Sequence, residues 1–329
     1  GNNLVYDAER HYGGMFDENR EPEYADILWH REKKEIVPVL DMAGEIVKKG
    51  GDGKLHFVAP EIRCDGIAHK TGDVTLVIFP DGQLMLIDAG LGLIKDKVIT
   101  ALKRMNVTSL DYIATSHGHR DHIENYPAVV DYILGQGGKI GPVYAISREI
   151  GQFEPDIYAY MREKGIEFRQ RTVAGDQLNI GGVTIDFMGP TAEHVENLDT
   201  SKKNAALMNN ISLVMKFTFG KSTYMSAGDL YRPQERKVVA AYGDQLKADV
   251  MKANHHGHGT SNSEDWLQAV SPKFVLSETC EYGGSVLFEK LYRRGIPYFC
   301  TGLNGSTMIT MDKDGNIDVK SEYGEAFSC

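Results

Sequence analysis

The sequence predicts an α/β (α+β) protein built as a four-layer sandwich, two β-sheets packed face to face with helices on both outer sides. Three observations carry this. Hairpins come first and are followed by strands and helices in alternation. A second strand-rich block begins after Gly175, and short alternating strands appear from Leu55 onward. With 329 residues and 42% hydrophobic content the chain can bury a large core.

The first 54 residues read as an N-terminal extension, charged and turn-rich through Glu21, with one helix expected over Val37 to Lys48. Pro38 suits the first turn of that helix, and Gly50-Gly51 suits its end. The catalytic domain is expected over 55–329. Val74, Leu76 and Ile78 alternate toward one face, Pro80-Asp81-Gly82 turns, and Gln83 to Asp88 returns as a hairpin. Leu93, Val98, Leu102 and Met105 recur at helical spacing, and Tyr112 to Thr115 is a compact buried strand that stops where the histidines begin. Further strands are expected at Val143–Ile146, Val183–Met188, Ile211–Thr218, Ser222–Ser226, Val250–Ala253, Phe274–Ser277 and Tyr298–Thr301. Helices are expected near Ile123–Leu134, Pro155–Lys164, Pro233–Tyr242, Glu264–Val270 and Val286–Arg293. Asp314-Gly315 marks a closing hairpin between Thr307–Met311 and Ile317–Lys320.

Composition narrows the function classes. A formal charge of −10 argues against a broad basic surface for long nucleic acids and favours a small-molecule or short substrate. The sequence has no run of 18 apolar residues, so no membrane span is expected. The chain begins Gly1-Asn2-Asn3 without an initiator Met. A removed signal peptide, and with it a secreted or cell-surface origin, stays open. Cys64, Cys280, Cys300 and Cys329 show no C-x-x-C spacing, so buried thiols are expected, with a Cys280–Cys300 bridge left open.

Of 11 histidines, six fall within the windows 117–122 and 255–258. In His117-Gly118-His119-Arg120-Asp121-His122, two imidazoles one residue apart can grip one ion, while Asp121 and His122 turn toward a second. Such a pair of ions lowers the pKa of bound water to about 7 and clamps the attacking and leaving oxygens, so a hydroxide bridging two metals is the expected nucleophile. Histidine and carboxylate donors accept several divalent ions; zinc is the first expectation, with manganese or iron as alternatives.

The run from Thr115 to Ile123 resembles the H-x-H-x-D-H signature of the metallo-β-lactamase superfamily. Leu86-Ile87-Asp88-Ala89-Gly90 resembles that family's first motif, whose aspartate orders the histidine loop, and Ser226-Ala227-Gly228-Asp229-Leu230 resembles the motif whose aspartate bridges the metals. The series Asn209 to Val214, Gly228-Asp229 and Ala248 to Gly257 is similar to the branch holding the hydrolase domains of competence-type DNA-uptake proteins and bacterial phosphorylcholine esterases. That resemblance implies phosphodiester or phosphorylcholine-type ester substrates.

The resulting ligand set is His117, His119, Asp121, His122, Asp229 and His256. His194 is the candidate third histidine of the first metal, unless an amide such as Asn210 or a water replaces it. Asp121 and His255 are the catalytic candidates; His255, His258, Asn210, Thr260 and Ser261 are the candidate substrate contacts; Asp88 is the supporting group behind the ligands. Two departures from the pattern stand out. His258 takes a position where the branch usually has serine, and His194 lies later than the usual Pro-Gly-His. The alternatives are a lactone or thioester hydrolase, a nuclease of the same fold, and a metal-dependent binding protein without turnover.

Overall fold

The computed structural model describes residues 37–61, 72–146, 149–169, 172–199, 205–279 and 285–323. Strands β1 (Leu55–Ala59), β2 (Thr75–Ile78), β3 (Leu84–Ile87), β4 (Tyr112–Ala114), β5 (Val143–Tyr144), β6 (Phe168–Arg169), β14 (Thr307–Met311) and β15 (Ile317–Ser321) form one sheet. Its order is β15-β14-β1-β2-β3-β4-β5-β6. Strands β7 (Gln177–Ile180), β8 (Val183–Gly189), β9 (Val214–Phe219), β10 (Ser222–Ser226), β11 (Val250–Lys252), β12 (Phe274–Ser277) and β13 (Tyr298–Cys300) form the second, in the order β13-β12-β11-β10-β9-β8-β7. The two sheets share one plan. Each has an antiparallel region joined to a run of parallel pairings, β3-β4-β5-β6 in the first and β10-β11-β12-β13 in the second.

Three apolar clusters separate the layers. Leu55, Phe57, Val77, Phe79, Phe217 and Tyr224 belong to the cluster between the sheets. There Phe57 stacks on Tyr224 at 3.7 Å between centroids and meets Phe217 edge-on at 5.1 Å. Val74, Leu76 and Ile78 lie on the other face of the first sheet, packed with helices α1 (Val39–Lys49), α2 (Lys95–Arg104), α4 (Tyr126–Gly135) and α5 (Glu154–Glu163). Met225, Met251, Trp266 and Leu291 fill the outer face of the second sheet beneath helices α8 (Arg232–Tyr242), α9 (Glu264–Val270) and α10 (Ser285–Tyr292). Strands covered on both faces are buried at successive positions, so β2 and β3 read as continuous apolar runs rather than alternating ones.

The expected helix over 123–134 is two helices, α3 (Arg120–Ile123) and α4. Pro127 sits in the first turn of α4, where its missing N–H costs nothing. The Asn125 side chain fills the break by donating to the Ala89 and Leu91 carbonyls. Helices α6 (Ala192–Glu196), α7 (Ala205–Asn209) and α11 (Thr301–Asn304) are a turn or so long. The helix expected at 37–48 begins two residues later and packs Val39, Leu40 and Ala43 into the outer core of the first sheet. Cys300 is buried, with its Sγ directed at the Thr279 carbonyl 3.7 Å away. Cys64, Cys280 and Cys329 lie outside the described residues. Among the described residues no helix is long and apolar enough to cross a membrane.

Candidate metal centre

The polar groups of the site leave the carboxyl ends of parallel strands, the edge at which open α/β sheets present their functional groups. Asp88 follows β3, and His117 to His122 follow β4. In the other sheet Asp229 follows β10, His255 and His256 follow β11, and Glu278 follows β12. Both halves of the sandwich thus feed one end.

The backbone there is unusual for non-glycine residues. His255 (φ 49) and His256 (φ 54) are both left-handed and are followed by Gly257 (φ 86). Each left-handed histidine costs of order 1–3 kcal/mol, which the surroundings must offset. The His255 N–H donates to the Gly228 carbonyl at 3.0 Å, the His258 N–H to the His255 carbonyl at 2.8 Å, and Ser277 Oγ to the His256 carbonyl at 3.0 Å. Behind the turn, the buried Glu235 carboxylate accepts from the Asn262 and Ser263 N–H groups and from Asn254 Nδ2. The turn is therefore clamped from both sides and presents two imidazoles at once.

Four imidazole Nε2 atoms surround one oxygen. Asp229 Oδ2 lies 3.3 Å from His122, 3.5 Å from His256 and 3.7 Å from both His117 and His255, while neither Asp229 carboxylate oxygen makes a hydrogen bond. His122 Nε2 is likewise buried without a hydrogen-bond partner. A fully buried carboxylate ringed by nitrogen atoms just beyond hydrogen-bonding range is the arrangement that cations between them would satisfy. Among the described residues two donor sets share Asp229. One comprises His117, His119 and Asp229; the other comprises Asp121, His122, Asp229 and His256, and a third group, Asp73, Asp88 and His122, meets the second at His122. The residues present therefore fit two divalent ions sharing Asp229. The first set has three protein donors, which leaves room for water or substrate.

The remaining ring nitrogens are held from behind. Asp88 Oδ2 accepts from His122 Nδ1 at 2.8 Å, and the same carboxylate takes Ser116 N at 2.8 Å and Ser116 Oγ at 2.6 Å. Ser116 Oγ also lies 3.0 Å from His117 Nδ1. On the opposite side Asp73 Oδ1 lies 3.0 Å from His256 Nδ1. Asp88→Ala is expected to weaken the ion held by His122 about 10–100-fold, since the imidazole loses its orienting acceptor. Competition with a chelating dye measures this, and an unchanged affinity would refute the role.

Electrostatics follow the same geometry. Burial alone would raise the Asp121 and Asp229 carboxyls, but His122 and His256 overcome it and hold both well below the carboxylate range. Burial and the neighbouring His122 push His117 down. His122 and His256 are held well above the ordinary imidazole value, against burial, chiefly by Asp229. A divalent ion entering here would displace protons, and its binding would weaken as pH falls.

Outside the ligands, Glu154 packs against the metal loop so closely that a Cβ on Gly118 would lie 2.4 Å from its carboxyl carbon. Its Oε2 accepts from the Ile150 and Gly151 N–H groups at 3.0 Å. Burial raises its carboxyl from 4.5 to about 7. The folded state thus binds this proton more tightly than the unfolded chain. The associated stability is complete below about pH 4.5 and declines as pH rises through about 7, by about 3 kcal/mol. Urea unfolding of metal-free protein at pH 5 and pH 8 should show that decline, and Glu154→Gln should flatten it. Equal declines in the two proteins would contradict the assignment.

The sequence-derived candidates are distributed as follows. His117, His119, Asp121, His122, Asp229 and His256 converge on the two donor sets, and Asp88 lies directly behind His122. His255 joins the rim, with Nδ1 hydrogen-bonded to Thr260 Oγ1 and its ring 5.0 Å from that of the half-buried His258. Thr260 is exposed, and Ser261 is buried with no hydrogen bond to its Oγ. His194 and Asn210 do not join either donor set. They line a separate cavity of about 360 Å³ with Leu230, Gln234 and Lys237, where His194 Nε2 meets Gln234 Nε2 at 3.2 Å. Sequence reasoning passed over Asp73, Lys252 and Glu278, all buried behind the centre. The available signal was Lys252, a lysine inside the apolar strand Val250-Met251-Lys252-Ala253.

A four-layer αββα sandwich with an H-x-H-x-D-H loop after a parallel strand, and an aspartate shared between two donor sets, defines a protein of the metallo-β-lactamase fold. Among curated proteins the chain is similar to Competence protein ComA of Neisseria gonorrhoeae, 26% identical over 225 residues, covering 66% of this chain and 28% of that protein. It is also similar to ComE operon protein 3 of Bacillus subtilis, 25% identical over 180 residues, covering 54% of this chain and 21% of that protein. The chain spans about a quarter of the length of these curated relatives. A solved structure it resembles is the metallo-β-lactamase fold protein YhfI of Bacillus subtilis, with TM-score 0.44 and 17% identity over 68% of this chain and 85% of that one. No family model matches the chain.

Proposed function

We propose that this chain is a metal-dependent hydrolase acting on phosphodiester or phosphorylcholine-type esters of small or short substrates. The observation that carries the reading is the single Asp229 oxygen facing four imidazoles, with Asp121 Oδ2 3.3 Å from His256 Nε2 beside it. Two divalent ions at such a centre supply an activated water and stabilise charge on the attacking and leaving oxygens of an in-line displacement, a demand that phosphodiester cleavage makes directly.

The chain's own residues do the rest. Asp121, with Oδ2 3.3 Å from His256 Nε2, would orient the attacking water. His255, fixed by Thr260, and His258 offer N–H donors to a phosphoryl oxygen at the rim. The net charge of −10 supports short substrates over long polyanions.

The test is a panel of chromogenic phosphodiester, phosphorylcholine, lactone and thioester substrates with metal-free protein, Zn²⁺-loaded protein and Mn²⁺-loaded protein. Metal-dependent turnover of the first two classes is expected. Turnover confined to lactones or thioesters would overturn the substrate assignment. A second reading, a binding protein without turnover, draws on the position of His194 outside both donor sets. A single bound ion, with no turnover of any panel member, would establish it. A nuclease reading requires oligonucleotide binding that strengthens as salt is lowered.

A further inference from the structure

We propose that Lys252 is a positioning residue of the metal centre: its buried ammonium couples Asp73 to the Gly228 carbonyl and so sets His256 and Asp229 in register. This rests on reading the cluster as a dinuclear site. Lys252 lies on β11, the strand between β10 and β12, with its side chain 3% exposed. Its Nζ reaches three partners on three segments: the Asp73 carboxylate ahead of β2, the Gly228 carbonyl after β10 at 3.4 Å, and the Ala253 carbonyl after β11 at 3.1 Å. The two carbonyls accept hydrogen bonds from the ammonium, and the Asp73 carboxylate completes its surroundings as an ion pair.

Each partner leads to a metal donor. Asp73 is the carboxylate behind His256, and its own N–H donates to the Asp121 carbonyl at 3.2 Å. Gly228 precedes Asp229, and its carbonyl also accepts from the His255 N–H. Ala253 opens the turn that carries both histidines. One side chain thus joins the supports of Asp121, Asp229 and His256.

Core packing gives no reason for a charge here. Replacing a buried ion pair by apolar groups of similar volume is often neutral or stabilising, so the pair adds nothing that an apolar pair could not. What an apolar pair cannot do is keep a carboxylate behind His256. Glu278 stands on the same side, holding the Val74 N–H at 2.7 Å and the Thr75 hydroxyl, and would crowd Asp73 with a second buried carboxyl if Lys252 were absent. A carboxylate behind a ligating imidazole typically contributes 10–100-fold in metal affinity.

The experiment titrates metal-free protein with Zn²⁺ against a chelating dye and compares wild type with Lys252→Met/Asp73→Asn, which removes both charges and keeps the volumes. Near-ultraviolet circular dichroism of the metal-free proteins establishes that each is folded; should the double variant not fold, Lys252→Met alone, which keeps Asp73, gives the readout. The expected result is two tight ions in wild type, and in the variant one ion of wild-type affinity with a second bound at least about tenfold more weakly. Lys252→Arg, which keeps the charge, should restore the second ion. Two ions of wild-type affinity in the folded variant would overturn the proposal while leaving the dinuclear reading intact. Failure of the wild type to take up a second ion would overturn both.

Discussion

Asp229→Ala is expected to lower kcat by roughly 10⁴-fold and to remove both ions, since the residue belongs to both donor sets. No other side chain stands in that relation. His117 and His119 enter only the first set, Asp121 and His256 enter only the second, and His122 also enters a third group with Asp73 and Asp88. Loss of any of these should therefore leave one ion in place. Elemental analysis distinguishes the cases, and an Asp229→Ala protein that kept one tight ion would show that the two sets do not share it. Because Asp229 is the chief partner of the buried His122 and His256 imidazoles, the metal-free variant should also be less stable, and near-ultraviolet circular dichroism checks that it is folded before the ions are counted.

Gly228→Ala carries the second largest expected effect, and by a different route. Gly228 has φ +50, and a Cβ there would lie 2.7 Å from Ser116 Cβ and 3.1 Å from Ser212 Cβ. Left-handed strain and overpacking together should cost about 2–5 kcal/mol. The larger consequence is chemical. Ser116 is hydrogen-bonded to Asp88, and Ser212 Oγ accepts from the Asp229 N–H at 3.2 Å, so the methyl group would push on the supports of both sheets' ligands. Displacements of about 1 Å at a reacting centre can cost 10²-fold, and a fall of that order in kcat is expected. Gly243→Ala is the control: φ +48 with nothing within 4 Å of its Cβ should give the strain alone and unchanged kcat. Equal activities for the two variants would refute the argument.

The candidate donors were legible because most of them are local. Histidines and a carboxylate crowded into 117–122 have no packing rationale, and a histidine pair at 255–256 after an apolar strand invites the same reading. Asp88 was legible through Leu86-Ile87-Asp88-Ala89-Gly90, which resembles the first motif of the metallo-β-lactamase superfamily. Asp73 also borders an apolar strand, but it precedes β2 instead of following it, and its partners His256 and Lys252 lie far along the chain. Nothing in the sequence around it names those partners. His194 shows the converse: it was placed by its order among motifs, while the fold directs it to Gln234 on α8.

Fold legibility followed length and pattern. The α9 helix matched its expected bounds because Ser263 caps it, accepting from the Trp266 N–H, and because its apolar positions recur at helical spacing. Strands β6 and β7 at the sheet edges left too little signal. β6 has two residues, and β7 alternates polar Gln177 and Asn179 with single apolar neighbours over four.

The two sheets meet at the metal centre in a way that binds composition to mechanics. His117, His119, Asp121 and His122 hang from the first sheet, Asp229 and His256 from the second, and each of the two sets that share Asp229 draws on both. Divalent ions held by these two sets would act as rivets through two leaves: each of the two sets is incomplete without residues of both sheets, and any motion that parts the leaves at this end would first give up such an ion. Ion content and the closure of the sandwich would then be one quantity seen from two sides, and the grip on the second ion would gauge how firmly the leaves are shut.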